Sequence, residues 1–271
     1  MRITYDISAL KPYINWVYFF YAWQVKDEAE KVRLRQEAEA FLEQLEGKYH
    51  TYALFELFDA NSDGDDIVIN RGEEQGARSE ERIPLLRQQQ GNPPYLCLAD
   101  FILPLSRGES DKIGLFATSV DMGLETDFDA DPYQKMMAQL LADRLAEATA
   151  ERMHEQVRKE YWGYAKDEQL TIPELLIEKF QGIRPAVGYP SLPDTSLNFV
   201  LDDILDMKQI GIRLTESGAM KPHASVSGFM FAHPQARYFN LGKIGEDQLR
   251  DYAHRRGLLV EVCRKFLAAN L

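Results

Sequence analysis

The run Arg184-Pro185-Ala186-Val187-Gly188-Tyr189-Pro190 gathers a fixed cation, a glycine, an aromatic ring and two prolines into one short loop. Arginine presents a planar fork that matches a carboxylate. Gly188 tolerates backbone angles that other residues avoid, so the main chain can come close to a ligand there. Tyr189 can lay its ring face on a cation. Together these parts suit a small zwitterion with a cationic centre. The plain alternatives are a turn after a helix and, for Arg184, an internal salt bridge.

Other chemistries find no support. No G-x-G-x-x-G follows a strand-like run, and neither a P-loop nor a G-x-S-x-G elbow occurs. His50, His154, His223, His233 and His254 are scattered, as are Cys97 and Cys263, without metal-ligand spacing. Asp63-Gly64-Asp65-Asp66 looks like the start of a calcium loop, but Gln75 stands where its glutamate is needed, so a solvated turn is expected. Thr215, Ser217, Ser225 and Ser227 have no histidine beside them in sequence and read as hydrogen-bonding groups rather than nucleophiles.

A formal net charge of −12 argues against nucleic acid and anionic membrane as partners, since both need a basic face. Two distant cysteines fit buried thiols in a reducing, cytoplasmic compartment. The aromatic run from Tyr13 to Trp23 is about a dozen residues, short of the ~20 that a membrane helix requires. With no repeat and no linker rich in Gly, Ser and Pro, residues 1–271 are expected to form a single domain.

The loop must be held by neighbouring elements. Residues 27–46 read as a helix stopped by Gly47. Thr51–Asp59 and Asp65–Arg71 flank an Asp-Gly turn and predict a hairpin. The runs 94–104 and 112–119 read as further strands. Asp131 and Pro132 open a long helix whose apolar residues recur from Met136 to Val157, carrying it to about Trp162. Its methionines read as core filler. Thr171-x-x-Glu174 has capping-box spacing and predicts a short helix towards Gln181. A helix over 197–210, strands near 212–217, 225–232 and 236–241, and two final helices broken at Gly257 complete the chain. Clustered strands without strict βαβ alternation predict an α+β fold with a largely antiparallel sheet.

Ordered blocks extend beyond the loop. They include Tyr13-Ile14-Asn15-Trp16, Leu98-Ala99-Asp100-Phe101, Ala142-Asp143-Arg144-Leu145-Ala146-Glu147 and Arg158-Lys159-Glu160-Tyr161-Trp162-Gly163-Tyr164, then Ala224-Ser225-Val226-Ser227-Gly228-Phe229, His233-Pro234 and Arg237-Tyr238-Phe239. In this order and spacing, from about residue 13 to the end, the chain resembles the activation (reactivation) domain of cobalamin-dependent methionine synthase.

The resemblance implies a curved antiparallel sheet with helices, and binding of S-adenosylmethionine. It implies that Arg184, with Asn15, Glu178, Gly188, Tyr189, Ser191, Tyr238 and Phe239, forms the ligand site. It implies an accessory role without independent turnover: the methyl donor is positioned over cobalamin held by a methionine synthase core, and flavodoxin or another reductase supplies an electron. No general base is needed, because methyl transfer moves no proton. No Asp-x-His-x-x-Gly occurs, so cobalamin is expected only through the partner protein, on which this chain would act in trans. Two departures bear on affinity. Asn15 stands where the family has an aspartate, so a charged contact to the ligand ammonium becomes a neutral one, about half as strong. Thr195 replaces a common histidine. Two other readings are a scaffold that kept the fold and lost the ligand, and an independent small-molecule methyltransferase, which would need its own acceptor pocket.

Overall fold

The computed structural model describes residues 1–74 and 77–271; Gln75, the position that breaks the calcium-loop pattern, lies outside them. The chain opens with strand β1 (Arg2–Asp6), short helices α1 (Ile7–Leu10) and α2 (Trp16–Ala22), and α3 (Glu28–Leu45). Three strands follow, β2 (His50–Asp63), β3 (Asp66–Glu74) and β4 (Ala77–Pro84), and after a long excursion β5 (Asp111–Val120). Helices α4 (Gly123–Thr126) and α5 (Pro132–Gln156) lead to α6 (Ile172–Leu176) and α7 (Leu197–Leu205). The small strands β6 (Arg213–Leu214) and β7 (Met220–Lys221), then β8 (Ser225–Met230), precede α8 (Glu246–Arg255) and α9 (Val260–Phe266).

The main sheet has six strands in the order β4-β3-β2-β5-β8, with β1 paired to β2, and every pair is antiparallel. One edge of β2 is shared: its first half pairs with β1 and its last residues with β3, while β5 runs along the other edge. Side chains alternate across this sheet, so it separates two cores. Phe55 and Phe116 face α5 with Leu141, Leu145 and Met153. Leu54, Leu115 and Phe229 face α7 with Leu197, Leu201 and Leu205. Each such side chain contributes roughly 1.5–3 kcal/mol when fully buried. A third cluster joins α8 and α9 through Leu249, Tyr252 and Leu267. Cys97 and Cys263 are both buried and unpaired, as expected.

Helix α5 starts where the cap residues place it: the Asp131 carboxylate accepts from the N–H groups of Tyr133 and Gln134 at 2.8 and 3.3 Å. It continues past Gln156 into a wider π turn at Val157–Tyr161, where Trp162 N–H donates to Val157 O at 2.8 Å. Met137 and Met153 lie in the core, whereas Met136 is exposed.

Several expectations need correction. Residues 94–104 form no strand but a 3-10 turn at Leu98–Phe101, because Asp100 accepts from Cys97 N–H at 2.8 Å and is gripped by Arg87. Helix α6 carries the predicted capping box but ends at Leu176, well short of Gln181. The helix over 197–210 is interrupted at Asp206, which adopts a left-handed φ of 51° and is followed by a 3-10 turn. Residues 236–241 are not a strand; their bonds go to the Arg184 loop instead. Strands β1 and β4 escaped the sequence reading because β1 is only five residues long, too short for its alternation to stand out, and β4 is a charge-rich edge piece. Among the described residues, no helix is long and apolar enough to cross a membrane, and no His/Cys/Asp/Glu group is arranged to hold a metal.

Candidate functional site

The Arg184 loop is stitched to the free edge of β8. Ile183 and Phe231 exchange both main-chain bonds at 3.0 and 2.9 Å, Phe229 N–H donates to Pro185 O at 3.1 Å, and Val187 N–H donates to Ser227 O at 2.9 Å. This approach requires Gly228, since a Cβ there would lie 2.1 Å from Pro185 O. Gly188 takes φ +89° and its N–H donates to Leu192 O at 2.8 Å, closing a turn around Tyr189. Its left-handed backbone was anticipated, but Gly188 does not line the cavity; it shapes the loop. A strap over 238–241 holds the loop from outside. Ser191 Oγ donates to Phe239 O at 2.5 Å and accepts from Phe239 N–H at 3.0 Å, and Leu241 N–H donates to Pro190 O at 2.9 Å.

Loop, strap, α2 and α5 enclose a cavity of about 640 Å³, within the range of roughly 300–1,000 Å³ usual for small-molecule sites. Asn15, Glu178, Arg184, Tyr189, Ser191, Tyr238 and Phe239 all line it. So do Arg144, Glu147 and Glu151, which sequence reasoning missed. Tyr18 and Tyr189, 60% and 52% exposed, stand in its wall, so the cavity opens to solvent on their side.

Glu147, Glu151, His154 and Arg158 recur at spacings of four, three and four, which places them on one stripe of α5 and its π turn. The stripe runs from solvent to interior. Glu147 accepts from Tyr189 Oη at 2.7 Å. Glu151 accepts from Arg184 Nη2 at 2.7 Å and from Nη1 at 3.3 Å. His154 Nδ1 lies 3.3 Å from Arg184 Nη1 and 3.0 Å from Arg158 Nη1. Arg158, fully buried, binds Glu168 through Nε at 2.9 Å and Nη2 at 2.6 Å and stacks on Phe180 at 4.2 Å. The one available signal was this ionisable periodicity beside the apolar face of a long helix.

Arg184 therefore makes an internal salt bridge, the alternative left open for it by the sequence. It is 9% exposed and its far end is held by Glu151. A guanidinium has two usable edges, however. Glu151 takes the end formed by Nη1 and Nη2, and His154 takes the outer side of Nη1. The edge formed by Nε–H and the outer N–H of Nη2 has no acceptor among the described residues, and it is the part left to meet a cavity ligand. Burial works against the charge of Arg184, but Glu151 and neighbouring acidic groups more than offset this and raise its pKa, so it stays cationic.

Tyr238 Oη accepts from the main-chain N–H of Arg184 at 2.9 Å, which leaves its own proton to donate, and burial pushes its pKa up to about 12. Burial also raises the pKa of Glu178, partly offset by Arg184 and reinforced by Glu151. Glu178 holds a left-handed φ of 58° just before the loop. Asn15 Oδ1 caps α2 by accepting from Val17 N–H at 3.2 Å, so the oxygen expected to face a ligand ammonium already has a backbone partner. The cavity wall carries three carboxylates (Glu147, Glu151, Glu178) against two guanidiniums (Arg144, Arg184), an imbalance that favours a ligand with net positive charge.

Comparison with known proteins agrees with this architecture. Residues 6–257 match the family described as vitamin B12 dependent methionine synthase, activation domain. A crystal structure of the MetH reactivation domain bound to AdoHcy superposes with a TM-score of 0.93 at 40% identity, covering 100% of this chain and 90% of that one. A family match running through sheet, long helix and Arg184 loop, joined to a full-length structural match, means that this chain belongs to the activation domain family of vitamin B12-dependent methionine synthases.

Proposed function

We propose that the cavity binds S-adenosylmethionine and that the chain acts as the reactivation component for cobalamin held by a partner methionine synthase module. Flavodoxin or another reductase is the electron source in this reading. One observation carries it: the open Nε–Nη2 edge of Arg184 lies beside an excess of carboxylates in a cavity of suitable size. The same fold, at 40% identity, holds AdoHcy in the MetH reactivation domain.

The residues fit the ligand's groups. The free edge of Arg184 suits the methionyl carboxylate, a charge-assisted pair worth roughly 1.5–3 kcal/mol. Glu147, Glu151 and Glu178 favour the ammonium and sulfonium charges. Tyr238 offers a hydroxyl proton, and Phe239 an apolar wall. Asn15, with its oxygen engaged by α2, contributes its amide N–H groups rather than a charge. When bound, S-adenosylmethionine supplies a methyl group made electrophilic by its sulfonium. The protein's part is orientation: charged groups fix the amino-acid end, and the open side at Tyr18 and Tyr189 leaves an approach for the acceptor. No proton-transferring pair is required.

Calorimetry with S-adenosylmethionine tests this. Arg184→Lys keeps a cation for Glu151 but removes the second edge. Binding by the native chain and a loss of about tenfold or more in the variant are expected. No binding at millimolar ligand would instead identify a scaffold that lost the ligand, and equal binding by the variant would remove Arg184 from the site. Recovery of methyl-transfer activity on mixing with an inactive cobalamin-bearing synthase core, reductant and S-adenosylmethionine tests the partner role.

A further inference from the structure

His154 is buried and does not line the cavity. Its surroundings dictate its protonation. Nδ1 faces N–H donors from both Arg158 and Arg184 at 3.0 and 3.3 Å, and a guanidinium cannot accept a proton bond. Nδ1 must therefore carry its lone pair. The proton then sits on Nε2, which faces Tyr164 Oη at 3.4 Å, and that hydroxyl donates onward to Gln181 O at 3.3 Å. Phe180 packs edge-on against the ring at 5.0 Å and closes the remaining side.

We propose that His154, as the neutral Nε2–H tautomer, is a positioning residue for the ligand site: it holds the outer side of Arg184 Nη1 so that only the Nε–Nη2 edge is free to meet the ligand. The inference rests on the proposed role of Arg184. Glu151 alone holds that end of the guanidinium by an uneven fork, 2.7 Å to Nη2 against 3.3 Å to Nη1, so the group can still rock about the shorter bond. A second acceptor at Nη1 removes that freedom. His154 is in turn held by Arg158, whose own fork is anchored on Glu168. The chain Glu168–Arg158–His154–Arg184 thus transmits the rigidity of the long helix to a side chain on a loop. Tyr164 extends the same connection to Gln181 at the loop's start, so both the side chain and the backbone of the loop are referenced to one imidazole. A neutral ring is essential, since a proton on Nδ1 would set three cations against one another.

Two measurements decide the matter. The first is ¹⁵N NMR of the imidazole in the unliganded native chain, which reads the tautomer without any ligand. Protonated Nε2 and bare Nδ1 from pH 5.5 to 8 are expected, and a proton on Nδ1 overturns the proposal. The second compares S-adenosylmethionine binding by His154→Leu and His154→Asn, together with the Arg184 Nε–H resonance, assigned by its absence in Arg184→Lys. Leucine should weaken binding about tenfold and broaden that resonance, while asparagine, which restores an acceptor oxygen near Nδ1, should recover most of both. A leucine variant that binds like the native chain with a sharp resonance sinks the proposal, as does an asparagine variant no better than leucine. If leucine prevents folding, the asparagine variant and the native tautomer still give the answer. A native chain that does not bind at all would overturn the reading of the site itself, and this proposal with it.

Discussion

Arg158 and Arg184 belong to one network and share an acceptor, yet they commit different edges. Arg158 gives its Nε–Nη2 edge to Glu168 and is fully buried. Arg184 gives its Nη1–Nη2 end to Glu151 and leaves the Nε–Nη2 edge without a protein partner. The inner arginine is closed, and the outer one faces a cavity of about 640 Å³. A buried ion pair therefore does not by itself exclude the ligand-binding role proposed for the same arginine. What separates a structural cation from a binding one is which edge remains open and whether space adjoins it.

The C-terminal polar knot supports the same distinction. Asp194, 1% exposed, accepts from Tyr252 Oη at 2.6 Å, from Arg256 Nη1 at 3.0 Å and from Ser196 N–H at 2.9 Å. The space beside it is about 10 Å³, room for a single water at most, and Arg256 does not line it. There the network pins α8 to the loop after Pro193 and leaves nothing for a ligand.

The contrast between the arginines can be broken most forcefully at the closed end. Arg158→Met leaves Glu168 buried without its partner, and a loss of roughly 3–5 kcal/mol is expected in urea denaturation; a loss below about 1 kcal/mol would mean that the inner pair is no anchor. At the open end the effect should fall on binding instead. Arg184→Lys is expected to weaken S-adenosylmethionine binding by roughly 1.5–3 kcal/mol while unfolding near the native midpoint, because lysine still neutralises Glu151. An equal loss of stability at both ends would erase the distinction.

Acid sharpens the comparison at the shared acceptor. Burial, then Arg158 and Arg184, push the pKa of His154 well below its ordinary value. A folded-state pKa below the unfolded value of ~6.5 means that the stabilisation is complete above that pH and is lost as pH falls, by up to about 1.4 kcal/mol per unit. The groups facing the ring are Arg158, Arg184 and Tyr164, with Glu168 and Glu151 behind the arginines. Denaturation midpoints between pH 7.5 and 5.5 should fall more steeply for the native chain than for His154→Asn; parallel slopes would show that the imidazole is not held neutral.

The smallest effect is expected at Asn15. Asn15→Asp keeps a side-chain oxygen for the Val17 N–H cap, so α2 should persist. The added charge should tighten binding of S-adenosylmethionine a few-fold, about 0.5–1 kcal/mol, and that of AdoHcy by a similar factor, since both carry the ammonium that the carboxylate would meet. Titration of both ligands checks this, and no gain for either would remove position 15 from the ammonium contact.

The Arg184 loop, the capped start of α5, the β2–β3 hairpin and the closing helices were legible in order and spacing, because each rests on local chemistry: a cap oxygen, an apolar period, a turn glycine. The ordered blocks also carried the family. Partners separated by tens of residues were not legible in this way. That Arg184 meets Glu151, that Glu147 meets Tyr189, and that Asn15 turns its oxygen to its own helix follow from how the loop docks on β8 and how α5 crosses the sheet. Residue types and local periodicity set which groups are available. Only the packed fold decides which hydrogen-bonding edges are already satisfied and which remain open, because that depends on contacts that local spacing does not encode.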